Sequence, residues 1–161
     1  MVKLRNIITA VLLLTTIAGG VIGQAKDALE LEADSVSYNN RTGVAIYRGN
    51  VKISQGDITL EGDMVEVHTV DDKVSKLIAT ANPSRLTRRD QQQTIAAEAQ
   101  RIEYKVQQGI VDFLGQVKIK EESKLLTGDY AIYDIEKKTV NMQKKKNRVR
   151  LIIQPETEAV E

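Results

Sequence analysis

An internal repeat constrains the fold of this chain more than any other feature. When the sequence is shifted by 66 residues without a gap, twelve of roughly fifty compared positions are identical. The segment Val51-Lys52-Ile53 recurs as 117–119, and Gly62-Asp63 recurs as 128–129. Repeats of a strand–turn–strand unit stack so that neighbours bury a shared face. The repeat therefore predicts one elongated β-structure of about a dozen or more short strands, and not two independent domains.

The repeated unit has the pattern of a β-hairpin. Residues 48–63 read RGNVKISQGDITLEGD, with apolar and polar residues alternating on both sides of a turn at 55–57. Period-two apolarity around a glycine-containing turn is typical of two antiparallel strands. Because the unit recurs, we interpret it as a building block and not as a unique binding loop.

The remaining segments extend the same alternation. Residues 29–38 predict a strand with a break at 33–34, and 149–153 predict a last short strand. Asn82-Pro83-Ser84 is expected to end a strand, because proline cannot donate to a ladder. Residues 95–104 have helix-friendly composition, but their register with the first repeat favours a strand.

The N-terminus has the three parts of a secretory signal. Lys3 and Arg5 precede an apolar stretch at 7–17, and small residues follow at 19–25. We expect residues 1–25 to be cleaved. The competing interpretation is a retained membrane anchor, although the apolar run is shorter than the roughly 20 residues that a spanning helix needs. On the first interpretation the chain divides into the signal (1–25), one β-domain (26–155) and a disordered tail (156–161).

Composition excludes several classes of function. The formal charge is +1 and becomes −1 without residues 1–25, so nothing attracts the whole chain to nucleic acid. The chain has no cysteine, which removes disulfides, thiolate metal sites and cysteine nucleophiles. It has no tryptophan and few other aromatic residues, which argues against a stacking platform for bases or sugars.

No group of polar residues forms a catalytic pattern. His68 is the only histidine, and we interpret it as a solvated residue at a strand end. The pair at 71–72 reads as a polar turn, and Asp34, Asp63 and Asp129 recur because the architecture repeats. We therefore predict a protein that is not an enzyme and holds neither a cofactor nor a metal. A sugar-active β-solenoid enzyme is the remaining enzymatic alternative.

The basic run at 144–150 has two interpretations. Its lysines can protect an edge strand against unwanted pairing. Alternatively, they form a patch for anionic groups such as phosphates. Sequence leaves both open.

The apolar alternation defines a candidate interior rich in medium-sized aliphatic residues. Such an interior is either a close-packed core or a trough that is wide enough for acyl chains, and periodicity does not separate the two. The candidate lining residues are Val36, Tyr38, Val51, Ile53, Ile58, Leu60, Val65, Val67, Leu77, Ile102, Tyr104, Phe113, Val117, Ile119, Leu125, Tyr133, Val140 and Leu151.

Four segments together carry a family resemblance. They are GNVKISQG at 49–56, LEGD at 60–63, ANPS at 81–84 and GQVKI at 115–119. In order and spacing they resemble the OstA-like domain of the LptA family of periplasmic lipopolysaccharide transport proteins, over essentially the whole chain after residue 25.

The resemblance implies an open, V-shaped β-jellyroll with two facing antiparallel sheets, whose apolar groove carries the acyl chains of lipid A across the periplasm. It also implies end-to-end self-association, an LptC-like partner at the N-terminal edge (29–38) and an LptD-like partner at the C-terminal edge (148–153). The residues expected at these edges are Leu29, Leu31, Val36, Val149, Leu151 and Ile153. If residues 1–25 are retained, the alternative is a membrane-anchored, LptC-like assembly subunit with the same fold.

Overall fold

A computed structural model describes residues 27–154, and this part of the chain is entirely β-structure. Its ten strands form one antiparallel sheet, and none of these residues is helical. The N-terminal signal and the C-terminal tail predicted from sequence lie outside the described residues. The strands are β1 (Leu29–Glu32), β2 (Ser35–Asn39), β3 (Val44–Gln55), β4 (Ile58–Val70), β5 (Lys73–Arg89), β6 (Thr94–Lys105), β7 (Ile110–Glu121), β8 (Lys124–Asp134), β9 (Thr139–Gln143) and β10 (Arg150–Ile153).

The sheet is open. Strands β3 to β8 pair in sequence order, β1 and β2 both pair with β3, and β9 and β10 both pair with β8. Within the described chain, neither end of the sheet pairs with the other, so two strands at each end keep an unpaired edge. The predicted hairpin is confirmed: β3 ends at Gln55, β4 begins at Ile58, and Gly56 has a φ of +57°.

Each pair of adjacent long strands changes register halfway along its length. The shifts lie between Arg48 and Val51, and at the corresponding points of the next four pairs. At the bulges in β3 and β7, two successive residues have positive φ: Gly49 and Asn50, and their repeat partners Gly115 and Gln116. Bulges bend strands and increase their twist. Because the bulges are aligned across the sheet, the whole sheet folds over along one line.

The fold line divides the sheet into two half-sheets that face each other. The first half-sheet contains β2, β9 and residues 44–48, 64–70, 73–80, 101–105, 110–114 and 130–134. The second contains β1, β10 and residues 51–55, 58–62, 84–89, 94–99, 117–121 and 124–128. The far margins of the half-sheets, where the hairpin turns lie, are called the lips here.

The core lies between the half-sheets. Apolar side chains from both halves form one cluster, and Val65, Ile102 and Val111 are completely inaccessible to solvent. One face of a single-layer sheet cannot reach such burial without a second layer against it. This arrangement is the predicted V of two facing antiparallel sheets.

The repeat predicted from sequence is visible in the strand bounds. The bounds of β3 and β7 differ by 66 residues at both ends, and β6 joins the equivalents of β1 and β2 into one strand. The prediction that 95–104 is a strand and not a helix is confirmed.

The expected number of strands was wrong. Six strands run continuously for 11 to 17 residues, because their backbone hydrogen bonding resumes beyond each bulge. Asn82-Pro83-Ser84 does not end a strand but lies inside β5, where the register shifts between Thr80 and Ser84. Proline cannot donate to the ladder, and a bulge accommodates that missing donor.

Candidate functional site

The inner face of the folded sheet contains most of the lining residues proposed from sequence. Val140 is half-buried and packs against the core cluster. The following thirteen are buried members of that cluster: Val51, Ile53, Ile58, Leu60, Val65, Val67, Leu77, Ile102, Tyr104, Phe113, Val117, Ile119 and Tyr133. In this structure their side chains fill the space between the half-sheets, so the interior is closed to solvent.

Three proposed lining residues lie on the inner face but are exposed. Val36 and Tyr38 are paired with Tyr47 and Ala45, whose side chains pack in the core, yet they are 59% and 60% exposed. Leu151 is paired with the inward Leu126 and is 53% exposed. The inner face therefore reaches solvent at β2 in the first half-sheet, and at β10 in the second.

One proposed lining residue points the other way. Leu125 is paired with Lys120, on the outer face, while Leu126 is paired with Ile119 and packs against the core. Paired residues of an antiparallel sheet share a face, and successive residues alternate. The repeat indicates that Leu126 is the inward residue, because a shift of 66 residues relates it to Leu60, which is in the core.

Several core residues were absent from the sequence proposal. Leu86, Ile95 and Val111 are almost fully buried. Alanines also occupy buried inner positions: Ala45, Ala79, Ala97, Ala99 and Ala131. Alternation along β6 was the available signal for Ala97 and Ala99, although alanine carries too little apolar surface to stand out in a pattern.

Five of the six proposed partner-edge residues lie on the outermost strands. Leu29 and Leu31 are half-buried on β1, and Val36 lies on β2. Leu151 and Ile153 are exposed on β10, while Val149 comes just before that strand and is also exposed. These strands have hydrogen-bonding groups along one edge without a neighbouring strand in the described chain.

A partly buried arginine joins the two lips. Arg88 lies on the second half-sheet with its side chain only 13% exposed, and its Nε donates to Asp57 Oδ2 at 2.7 Å. Its Nη1 donates to the Tyr133 hydroxyl and to the Ile135 carbonyl on the other lip, both at 2.8 Å. Burial alone would lower the pKa of Arg88, but the hydrogen bonds with Asp57 and Tyr133 raise it above its ordinary value.

A second ion pair strengthens the same connection. Lys138, in the turn after β8, places its Nζ 2.7 Å from Asp90 Oδ2 in the turn after β5. The Lys138 ammonium, and then the backbone N–H groups of Gln92 and Gln93, hold the pKa of the Asp90 carboxyl well below its ordinary value. We call Asp57, Arg88, Asp90, Tyr133 and Lys138 the lip bridge. No sequence pattern predicted this bridge, because its members are dispersed from position 57 to position 138.

His68, the pair at 71–72 and Asp112 have structural roles. His68 lies 3.2 Å from Glu66 through its Nε2 and is half-buried, so it is less solvated than its predicted strand-end position suggested. Asp71 and Asp72 both have positive φ in the two-residue turn between β4 and β5, as the turn interpretation requires. Asp112 is buried between Lys105 Nζ at 2.7 Å and the Tyr130 hydroxyl at 2.6 Å.

Of the three recurring aspartates, only Asp34 lies between strands, whereas Asp63 and Asp129 lie inside β4 and β8, so the prediction that all three occupy turns was wrong. Asp34 accepts from Asn50 Nδ2 at 3.1 Å beside the β3 bulge. Asp129 accepts from the backbone N–H groups of Lys146 and Asn147, which orders the segment between β9 and β10. Residues 27–154 contain no group of three or more metal-ligating side chains, and no helix among them is long and apolar enough to span a bilayer.

The basic run is a connecting loop, so the edge-strand interpretation was wrong for most of it. Only Arg150 lies in β10, while Lys144, Lys145, Lys146 and Arg148 precede that strand and are exposed. Lys145 Nζ lies 4.3 Å from the centroid of the Tyr130 ring. This loop therefore concentrates positive charge at the C-terminal end of the sheet.

Comparison with known proteins identifies the family. Residues 30–139 match the model described as the LptA/(LptD N-terminal domain) LPS transport protein. A curated relative, the lipopolysaccharide export system protein LptH of Pseudomonas aeruginosa, is 25% identical over an alignment of 142 residues, and the match covers 81% of each chain. The crystal structure of that organism's LptH, described as the LptA-homologous periplasmic component of the lipopolysaccharide transport device, superposes with a TM-score of 0.75 at 25% identity, covering 80% of this chain and 96% of the other. The chain belongs to the family of LptA and LptD N-terminal-domain lipopolysaccharide transport proteins.

Proposed function

We propose that this protein is a periplasmic bridge that binds lipopolysaccharide and shields the acyl chains of lipid A during export to the outer membrane. The observation that carries the proposal is the continuous apolar inner face, which opens to solvent at β2 and at β10. Membership of the transport family and the likeness to periplasmic LptH support the same cargo and compartment.

Burial of acyl chains supplies the physical reason for such an interior. Each methylene removed from water contributes about 0.8 kcal/mol, so a chain of ten methylenes gains on the order of 8 kcal/mol. A lipid with several chains therefore does not cross an aqueous compartment unshielded. The inner face offers aliphatic residues along its whole length, which suits flexible chains better than a rigid pocket does.

Entry of the lipid requires the half-sheets to separate. The interior side chains pack against one another, and the lip bridge joins the two margins through Arg88 and Lys138. Val36, Tyr38 and Leu151 are the inner-face residues that meet an incoming acyl chain without any rearrangement. In our proposal the chains first contact these exposed ends and then part the lips as they move inward.

The unpaired edges serve assembly in this proposal. An LptC-like protein adds a strand at β1 and β2, and an LptD-like protein adds one at β9 and β10. Copies of the chain associate end to end through the same edges. Strand addition satisfies the free backbone groups, and it also joins one apolar interior to the next. The protein itself has no catalytic role and takes no cofactor.

Co-elution tests the cargo. Protein lacking residues 1–25 is mixed with purified lipopolysaccharide, separated by size exclusion, and extracted for bound lipid. We expect co-elution, and we expect Leu151→Asp to reduce it more than the matched outer-face variant Ile152→Asp. Absence of lipid from the wild-type peak contradicts the proposal. The intact mass of the protein recovered from cells distinguishes the bridge from a membrane-anchored, LptC-like subunit, which retains residues 1–25.

A further inference from the structure

The outer face of the second half-sheet has a row of charges that alternate in sign from strand to strand. Its members are directly paired across successive strands. In order they are Glu32, Lys52, Glu61, Arg85, Glu98 and Lys118. Opposite charges at directly paired positions stabilise neighbouring strands, whereas like charges destabilise them.

The row ends with opposite charges at the two edges of the sheet. After Lys118 comes Thr127, which is paired with Arg150 on β10. Glu32 therefore ends the row on β1, and Arg150 ends it on β10. Both side chains are exposed, and neither forms an ion pair within residues 27–154.

The joint between the two internal repeats shows how such ends fit together. At this joint, between β5 and β6, Arg85 is paired with Glu98, and Arg85 Nε lies 3.1 Å from Glu98 Oε1. A shift of 66 residues relates Glu32 to Glu98. Arg150 precedes an inward leucine on β10, in the same way that Arg85 precedes Leu86 on β5. The β1 edge therefore resembles the β6 side of this internal joint, and the β10 edge resembles its β5 side.

Strand direction and the apolar pattern fit the same joint. The eight strands of the second half-sheet alternate in direction, so β1 of a following copy approaches β10 antiparallel, as β6 does with β5. When Arg150 is opposite Glu32, the inward residues Leu151 and Leu31 are also opposite each other. A slip of one residue would place inward side chains opposite outward ones, so the pattern specifies this register.

We infer that copies of this chain associate by pairing β10 of one with β1 of the next, in the register that sets Arg150 opposite Glu32 and so reproduces the Arg85–Glu98 joint. The inference rests on the proposed end-to-end assembly, and adds the register and the charges that direct it. It also fixes polarity, because pairing two β1 edges would bring glutamates together, and pairing two β10 edges would bring the basic ends together.

Head-to-tail pairing covers the exposed inner face of both half-sheets at the same joint. At the N-terminal end, the exposed inner face is on β2 in the first half-sheet, and at the C-terminal end it is on β10 in the second. Head-to-tail association brings Leu151 of one copy near Val36 and Tyr38 of the next, across the interior. Both exposed patches then become covered, and the apolar interior continues through the joint.

Charge reversal tests the inference by sedimentation velocity over a concentration series. We expect Glu32→Lys and Arg150→Glu, each alone, to raise the dissociation constant for association roughly three- to tenfold, and the double variant to recover it. Lys73→Glu, at the first residue of the central strand β5, makes the same change in net charge as Arg150→Glu away from both edges of the sheet, so it is the control. About 1 M salt should diminish the difference between the variants and the wild type.

An equimolar mixture of the two single variants gives the sharpest readout. Both kinds of junction between unlike variants bring a basic and an acidic side chain together, so the mixture is expected to recover wild-type association through chains in which the two variants alternate, whereas each variant alone stays weakly associated. Wild-type association that neither reversal changes, or a double variant that stays as weak as the singles, overturns the inferred register and leaves the lipid-binding proposal intact. If the wild type does not associate, the inference fails together with the assembly part of the proposed function, while lipid co-elution tests the cargo part separately.

Discussion

Replacement of Arg88 by methionine tests whether the lip bridge holds the half-sheets together. The change keeps most of the apolar stem of the side chain and removes the guanidinium. It breaks the 2.7 Å bond to Asp57 and the two 2.8 Å bonds to Tyr133 and Ile135. Hydrogen bonds to charged groups contribute about 1.5–3 kcal/mol each, but part of this offsets the cost of burying the arginine.

The net loss in the free energy of unfolding should therefore be smaller than the sum of these hydrogen-bond contributions. The Asp57 side chain is 33% exposed, so water replaces part of its lost bond, whereas the Tyr133 residue is 1% exposed and loses a donor in a dry position. We expect the free energy of unfolding to fall by about 2–4 kcal/mol. For a domain with a urea slope of about 1–3 kcal/mol/M, the unfolding midpoint falls by on the order of 1–3 M.

Urea unfolding followed by circular dichroism measures this change. Arg89→Met is the matched control, because Arg89 is the next residue, exposed, and has no ion pair in the described chain. A midpoint for Arg88→Met that equals the Arg89→Met midpoint would refute the assigned role of the bridge. Since the acyl chains part the lips as they move inward in our proposal, Arg88→Met should also take up lipopolysaccharide faster than Arg89→Met does.

Three further substitutions test other parts of the structure. Gly43 and Gly109 are repeat partners with the same φ of +65°, but an added Cβ would lie 2.8 Å from a backbone oxygen at Gly43 and no closer than 3.7 Å to its neighbours at Gly109. Alanine should therefore cost about 1 kcal/mol at Gly109 and at least 1 kcal/mol more at Gly43, and equal losses in urea unfolding would contradict the clash. The hydroxyl of Ser84 is fully buried without a hydrogen-bond partner among residues 27–154, so Ser84→Ala should leave the unfolding free energy unchanged or raise it by up to about 1 kcal/mol, and a loss above that value would show an unrecognised partner. Asp90 has a folded-state pKa below its ordinary value of 3.8, so its contribution to stability is complete above about pH 4 and is lost as the pH falls towards the folded-state value. Lys138→Met should flatten that part of the profile of unfolding free energy against pH. An unchanged profile would contradict the pairing of Lys138 with Asp90.

The all-β fold could be predicted from the sequence because the internal repeat supplied information that the helix and strand propensities of single segments lack. Residues 95–104 would pass for a helix by composition, and only their alignment with 29–38 identified a strand. The same alignment, applied to one more position, would have selected Leu126 instead of Leu125. Bulges were harder to predict, because Gly49 and Gly115 mark a turn and a bulge equally well.

The lip bridge and the exposed inner-face ends could not be predicted from the sequence. Arg88 contacts Tyr133 and Ile135, which are 45 and 47 positions away, and these contacts exist only after the sheet folds over. Exposure of Val36 and Leu151 depends on how far each half-sheet extends beyond the other at its end. Alternation along a strand identifies the inner face but does not report whether a second layer covers it.

Photo-crosslinking in cells tests the central claim most directly. A photoreactive amino acid at Val36 or Leu151 reports on the inner face, and at the adjacent positions Ser37 or Ile152 it reports on the outer face of the same strands. All four residues are exposed, so the label should disturb the core little. The account predicts crosslinks to lipopolysaccharide from Val36 and Leu151 well above those from Ser37 and Ile152. Equal capture from both faces, or capture from the outer face alone, would contradict an acyl-chain path along the apolar interior.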